Sequence, residues 1–435
     1  MALMQPLLKQ NGSLQIGGIS IADLHSQFGP GAIYAYDANR IIQNFQNLQR
    51  AFRDPKDRFY TRIYFAIKSN SNPAIIQLLH NQGCGADCSN LNEVKIAQIV
   101  GVPNSQILYS GNNNPLPELK YAISNQIAIN FDSISLFNRA SDSQNISQAP
   151  ICFRYNPPQG LGENPNITTA GQGSKFGISE SEIISAYKAA KEKGATRFGL
   201  HMMTGSNTRE IKPFILQVQD QLRLAGKICS ELNTEFEFID IGGGFGVPYF
   251  PNDFPINLND LGSKIIETFA NSCKEYGVNS ISGTLPDLML EPGRILVADS
   301  AIIISQITNI KNSGEKRIIG LDASMATLMR PAFYGSYHHI YIDGHLQNEN
   351  SSPADVVGQA CESSDFFAKN RPLPDSLKEG DLAVFCTAGA YGFSMSSNYC
   401  NMAKPAEVLI LDGKPHLIRK RQSIEDILSQ TCLIN

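Results

Sequence analysis

The stretch Tyr64-Phe65-Ala66-Ile67-Lys68-Ser69-Asn70 sets an apolar, strand-forming run against an abrupt polar exit, with Lys68 at the change. A lysine leaving a buried strand is placed to be desolvated, which lowers its pKa and makes its amine a nucleophile. The bland alternative is a strand-end lysine pointing into water, and the stretch alone favours it. What decides the fold is that the pattern recurs. Short apolar runs ending in a polar or small residue occupy 63–67, 85–88, 107–110, 127–131, 151–155, 198–202, 236–241 and 288–290. Amphipathic helical stretches lie between them at 74–82, 91–100, 116–124, 180–193 and 212–232. Eight strands alternating with helices over about 230 residues predict an α/β fold, a (β/α)8 TIM-like barrel. A doubly wound open sheet is the rival, because alternation does not itself show closure.

Outside the repeat the character changes. A strand at 14–16, a helical pattern over 21–28 and a strand at 32–36 precede Asp37. That residue reads as the cap of a helix carrying Ile41, Ile42, Phe45 and Leu48. After about residue 295 the chain turns β-rich, with runs at 296–310, 317–321, 337–342, 381–387 and 406–411 separated by Gly, Pro, Asn and Asp turns. The expected organisation is 1–36 as N-terminal strands joining a β domain, 37–294 as the barrel, and 295–435 as a C-terminal, mostly-β, barrel-like domain.

The 435 residues are 42% hydrophobic and 17% charged, an ordinary globular composition with a substantial core. A net charge of −4 supplies no electrostatic footprint for nucleic acid or an anionic membrane. No apolar run approaches the roughly 20 residues that span a bilayer. Met1-Ala2-Leu3-Met4-Gln5-Pro6 lacks a basic region followed by an apolar one, so no secretory leader is expected. Nine scattered cysteines, an odd number, suit free thiols in a reducing cytoplasm. Cys84 and Cys88 have no second close pair, so no zinc site is expected.

Ligands of such barrels sit at the C-terminal ends of the strands. The residues there are Lys68, Asp87, Ser110, Arg154, His201, the run Gly242-Gly243-Gly244, and Glu291 with Arg294. Backbone N–H groups of the glycine run can cradle a phosphate, although a tight turn explains such a run equally well. A carboxylate such as Glu291 facing a pyridine nitrogen keeps it protonated, which makes pyridoxal 5'-phosphate (PLP) an electron sink. An amine, a phosphate cradle and an acid are the three parts that PLP needs, and they co-occur here. In the second domain, Cys361 could protonate a carbanion and Glu362 could bind a substrate ammonium. Arg330, close to Tyr334, could clamp a carboxylate. An acidic loop with a buried cysteine, and a surface arginine, are the plainer readings.

With these pieces assembled, the chain resembles the PLP-dependent decarboxylases of the alanine-racemase-like fold (fold type III), most of all the diaminopimelate decarboxylases. The resemblance runs from Ile33-Tyr34-Ala35-Tyr36-Asp37 to Arg419-Lys420-Arg421. It is carried by Phe65-Ala66-Ile67-Lys68-Ser69-Asn70, Ser174-Lys175-Phe176-Gly177, Glu291-Pro292-Gly293-Arg294, Met329 to Gly335, Cys361-Glu362-Ser363-Ser364-Asp365 and Gly389-Ala390-Tyr391-Gly392. It implies that Lys68 is the Schiff-base lysine, with Asp87 beside it. Ser206 and Gly242, Gly243 and Gly244 would hold the phosphate, with His201, Gly293, Arg294 and Tyr391 also at the cofactor. Glu291 would pair with the ring nitrogen. Arg294, Arg330, Tyr334, Glu362 and Tyr391 would contact substrate, and Cys361 would be the proton donor. Cys361 and Glu362 would reach a neighbouring subunit's active site, which implies a homodimer.

The sequence departs from the family pattern at named places. His201-Met202-Met203-Thr204-Gly205-Ser206 stands where the family carries H-x-H-x-G-S, so Met203 replaces the histidine that stacks on the PLP ring. Ser364 replaces a usual glycine, and 399–405 differs from the usual ending. The function implied is amino-acid α-decarboxylation, with meso-diaminopimelate giving L-lysine as the leading case. A relative acting on another amino acid or on a siderophore or antibiotic precursor, possibly carrier-linked, stays open, as do an amino-acid racemase and a non-catalytic homologue.

Overall fold

A computed structural model describes residues 3–10, 12–142, 144–158, 170–171, 173–280, 283–345 and 350–434. The chain forms two compact units: residues 44–247 with 255–295, and residues 1–43 with 248–254 and 296–435.

The first unit is a closed barrel of eight parallel strands. These are β1 (Thr61–Ala66), β2 (Gly85–Cys88), β3 (Ile107–Tyr109), β4 (Ala128–Phe131), β5 (Ile151–Tyr155), β6 (Phe198–Met202), β7 (Phe238–Asp240) and β8 (Asp287–Leu290). Each pairs with the next, and β8 pairs with β1, so the open-sheet rival is excluded. Both ends of every expected strand fall within two residues of the observed ones. The strands are nearly continuous apolar runs because each is covered on one face by the barrel interior and on the other by helices. Alternation sends Tyr64, Leu108, Cys152, Phe238 and Met289 into one interior cluster. On the outer face, Phe131, Phe137, Phe153, Tyr187 and Phe236 meet edge to face or tilted. Helices Ile134–Ser141 and Leu258–Tyr276 complete the alternation, the second bounded by the Asn257 cap and by Gly277 at φ +68°.

The second unit is built on a sheet of nine strands centred on Ile33–Asp37, which pairs antiparallel with Ala301–Ser313 and parallel with Ala406–Leu411. Asp37 caps the following helix, its Oδ1 accepting from the N–H groups of Asn39 (2.9 Å) and Arg40 (3.2 Å). Leu7–Gln10, Ser13–Ile16 and Ile19–Ser20 form a separate three-stranded sheet. One correction concerns 296–310. Its first residues are not strand: Arg294–Val297 is a helical turn, Ala298–Ser300 a 3-10 turn, and the strand begins at Ala301. Among the described residues, no helix is long and apolar enough to cross a membrane.

Candidate active site

Parallel register decides which side chains enter the barrel. Asp87 pairs with Ala66, Arg154 with His201, and His201 with Asp240, so these residues share the inner face near the C-terminal ends of their strands. Glu291 follows β8 by one residue, with its N–H bonded to the Gly242 carbonyl at 2.8 Å. The result is a mouth lined by Asp87, His201, Asp240 and Glu291, none more than 6% exposed.

Lys68 lies on a single 3-10 turn, Ile67–Ser69, that follows β1. Its Nζ is 2.8 Å from Asp87 Oδ2, and its side chain is 45% exposed. The expected desolvation of Lys68 is therefore not what the structure provides. The buried member of the pair is the acid. Burial, and then the charge of Glu291, push Asp87 up to about 7, against the pull of Lys68.

His201 Nε2 lies 3.2 Å from Glu291 Oε2. Burial lowers the His201 pKa, so the ring is neutral and Nε2 carries the proton that Glu291 accepts. Burial opposes ionisation of Glu291, yet the His201 hydrogen bond and the field of Lys68 hold it below the usual carboxylate range. Since His201 is neutral, its contribution at pH 7 is a hydrogen bond and not a positive charge. Arg154 is buried in the same mouth, its guanidinium 4.5 Å from the Phe176 ring centre.

The glycine run closes the other side. Gly244 has φ +89°, and a Cβ there would lie 2.5 Å from the Gly205 carbonyl oxygen; one at Gly243 would lie 2.3 Å from that of Glu291. The run can thus pack against these neighbouring backbone carbonyls only because side chains are missing. The Gly243 N–H points at Met203 Sδ, 3.3 Å away. Arg294 Nη2 donates to Ser206 Oγ at 3.3 Å, which brings these two predicted residues together.

Two functional supports were missed in the sequence, Gln217 and Gln221 of the helix Lys212–Leu232. Gln217 Nε2 donates to the carbonyls of Met202 (3.0 Å) and Ile241 (2.7 Å). Gln221 Nε2 donates to those of Leu200 (2.9 Å) and Asp240 (2.8 Å). Both glutamines are buried, and a pair of amides four apart on an otherwise apolar helix face is the signal that would have found them.

The remaining predicted residues lie in the second unit. Arg330 is buried, 2.9 Å from His338 Nε2 and stacked 4.7 Å from the Tyr249 ring centre. His338 Nδ1 donates to the Cys386 carbonyl, so Nε2 is free of its proton and accepts from Arg330. Tyr334 closes the same short helix, Arg330–Tyr334. Tyr391 holds a left-handed backbone, φ +56°, uncommon for a bulky residue. Cys361 is exposed, not buried, and so is Glu362, which accepts from the Tyr399 hydroxyl at 3.1 Å. Their loop is closed by buried Asp365, whose carboxylate accepts from the N–H groups of Met325 (2.6 Å) and Ala360 (2.8 Å).

Residues 38–298 match the profile described as pyridoxal-dependent decarboxylase, pyridoxal binding domain. The chain belongs to this decarboxylase family. Its likeness to known members extends over nearly the whole length. It is 38% identical over 425 residues to the diaminopimelate decarboxylase of Methanothermobacter thermautotrophicus, covering 97% of this chain and 96% of that one. It is also 32% identical to Protein TabA of Pseudomonas amygdali pv. tabaci, over 91% and 90% of the two chains. Among solved structures, diaminopimelate decarboxylase from M. jannaschii in complex with L-lysine superposes with a TM-score of 0.90 at 30% identity, covering 99% of this chain and 98% of that one.

The residues present fit the family's cofactor. Asp87 Oδ1, His201 Nδ1, Asp240 Oδ2 and Glu291 Oε1 are buried with no hydrogen-bond partner among the described residues. An ionised carboxylate suits a ring nitrogen that must stay protonated. Backbone N–H groups at the glycine run, with Ser206 and Arg294, suit a phosphate. Lys68, reachable from solvent and paired to an acid, suits an aldehyde.

Proposed function

We propose that this decarboxylase removes the α-carboxyl of meso-diaminopimelate to give L-lysine and CO2. The observation that carries the chemistry is the pairing of Lys68 with Asp87 in the same barrel mouth as an ionised Glu291. Full-length likeness to diaminopimelate decarboxylases, one of them solved with L-lysine, supports the substrate.

When bound, PLP supplies a protonated ring that takes up the electron pair left at Cα as CO2 departs. The chain's own groups prepare and finish that event. Asp87 Oδ2, 2.8 Å from Lys68 Nζ and raised to about 7, can take the proton that Nζ must lose before the amine attacks a carbonyl. Glu291 would keep a ring nitrogen protonated, and His201 Nε2–H fixes the Glu291 carboxylate. Gly242, Gly243, Gly244, Ser206 and Arg294 would hold the phosphate, with Gly293 and Tyr391 also serving the cofactor. Arg294, Arg330, Tyr334, Glu362 and Tyr391 bind the substrate's carboxylates and distal ammonium. Cys361 Sγ–H returns a proton to Cα. Because Cys361 and Glu362 are exposed, they are available to complete the site of a second copy, and the chain acts as a homodimer. Its nine free thiols suit a reducing cytoplasm.

The test is CO2 release from a panel of diaminopimelate, lysine, ornithine and arginine. Turnover of another member without diaminopimelate would sink the substrate and keep the class. Met203 in place of a ring-stacking histidine is the observation that favours that second reading, a decarboxylase of a different amino acid or precursor. Loss of optical activity without CO2 would mean racemisation. Absence of cofactor absorbance and of a borohydride-fixed mass at Lys68 would mean a non-catalytic homologue.

A further inference from the structure

Asp240 ends β7 and is fully buried, and Glu291 follows the neighbouring strand β8. One ligand atom from each, with one from His201, lies within 4.8 Å of the other two. Asp240 Oδ1 accepts from the Gly242 N–H at 2.8 Å, which leaves Oδ2 buried with no donor among the described residues. On Glu291, Oε2 faces His201 Nε2 and Oε1 is buried and likewise without a donor. Two carboxylates this close in a dry pocket cannot both be charged, and leaving a buried acceptor bare on each is costly. One proton turns them into a donor and an acceptor.

We propose that Asp240 is a neutral carboxylic acid whose Oδ2–H donates to the Glu291 carboxylate, so that Asp240 positions the group facing the cofactor ring. The positioning role rests on the reading of Glu291 given above; the proton on Asp240 does not.

The neighbours decide which acid carries the proton. Glu291 faces the Nε2–H of His201 and the charge of Lys68. Asp240 receives one backbone N–H and faces Glu291 and Asp87, both of like charge, with His201, Arg154, Tyr64 and Cys152 as its other titratable neighbours. Burial and the Glu291 charge push Asp240 well up, while Glu291 is held down, in the same sense. A carboxylate offers about four lone-pair directions, so Glu291 can accept from His201 and Asp240 and still accept from a ring N–H. A bridging cation is the other way to reconcile the two acids.

The test uses the full chain, first stripped of cofactor and grown with carboxyl-13C aspartate. Difference infrared spectra at neutral pH, taken in a D87N background because Asp87 is itself raised to about 7, are expected to show a protonated-carboxyl stretch that shifts with the label and is lost on adding D240N, with the fold of each variant checked by circular dichroism. A missing band, a band that does not shift, or one that persists in D240N overturns the proposal, as does a stoichiometric metal in the purified protein. The cofactor-loaded chain tests positioning. D240N keeps a donor toward Glu291 and should keep the wild-type pH dependence of the visible cofactor band, whereas D240L should shift it. Identical titrations in wild type and D240L overturn the positioning role. No visible band in wild type would instead overturn the cofactor reading and leave the infrared result standing.

Discussion

At the barrel mouth, Asp87, His201, Asp240 and Glu291 are at most 6% exposed, and each is next to a group that sets its charge. In the loop after Ser351–Val357, Cys361 and Glu362 are exposed, and the one buried anchor is Asp365. The first region holds its chemistry preorganised within one chain, as catalytic electrostatics requires. The second leaves a thiol and a carboxylate to solvent, the carboxylate accepting from the Ser364 N–H and the Tyr399 hydroxyl. Burial therefore separates residues that tune one another from residues whose proposed roles need a second copy to complete them.

That contrast can be broken in several ways. Lys68→Ala should lower decarboxylation most, by roughly 10⁴-fold or more, in protein that still folds. Glu291→Gln should lower kcat by about 10²- to 10³-fold, because an amide cannot hold a ring nitrogen protonated. Cys361→Ala should cost about 10²-fold in kcat with KM little changed, in keeping with loss of one proton donor. Mixing K68A and C361A chains sharpens this last case. If the loop serves a second copy, exchange restores about a quarter of wild-type activity, since half the dimers are mixed and each has one intact site. No recovery in chains shown to exchange would return the loop to its own barrel.

Smaller effects probe the supports. Gln217→Leu removes donors from two buried carbonyls and should lower stability by about 2 kcal/mol, read as a drop in Tm with the cofactor absent. Asp87 gives a pH signature. Its folded pKa, about 7, lies above the ordinary carboxyl value, so between roughly pH 4 and 7 the folded state holds a proton that the unfolded chain has lost. Wild-type stability therefore carries a component that falls across this window and levels above it. Asp87→Asn should lack that component, and equal Tm slopes in the two proteins would refute the raised pKa.

The barrel was legible because each strand is bounded by punctuation and is too apolar to be a surface element. Closure was not legible, since it is a relation between β8 and β1 and not a property of either. Leu296 and Val297 fall in the expected strand 296–310 because apolar runs of this length do not distinguish a helical turn from an extended segment. The strands Phe366–Pro374 and Lys414–Arg419 escape the apolar pattern because they carry prolines and charges and bury few residues, as edge strands do. Within the site, Lys68, the glycine run and Glu291 announced themselves through residue type at a strand end. Gln217, Gln221 and Asp240 act through partners many residues away; the two amides four apart on an apolar helix face mark the glutamines as unusual, but their partners are set only by the fold.

The two glutamines also constrain how this protein can vary. Four residues of helix advance about 6 Å and two residues of strand about 6.6 Å, so the helix and the wall behind it run nearly in step, like the scales of a vernier. Gln217 and Gln221 sit where those scales coincide on β6, at Met202 and Leu200, and each also reaches a carbonyl at the end of β7, that of Ile241 or Asp240. A residue inserted between 217 and 221 would turn one amide away by about 100° and leave its carbonyls bare. Substitution is the only kind of drift that this stretch can absorb.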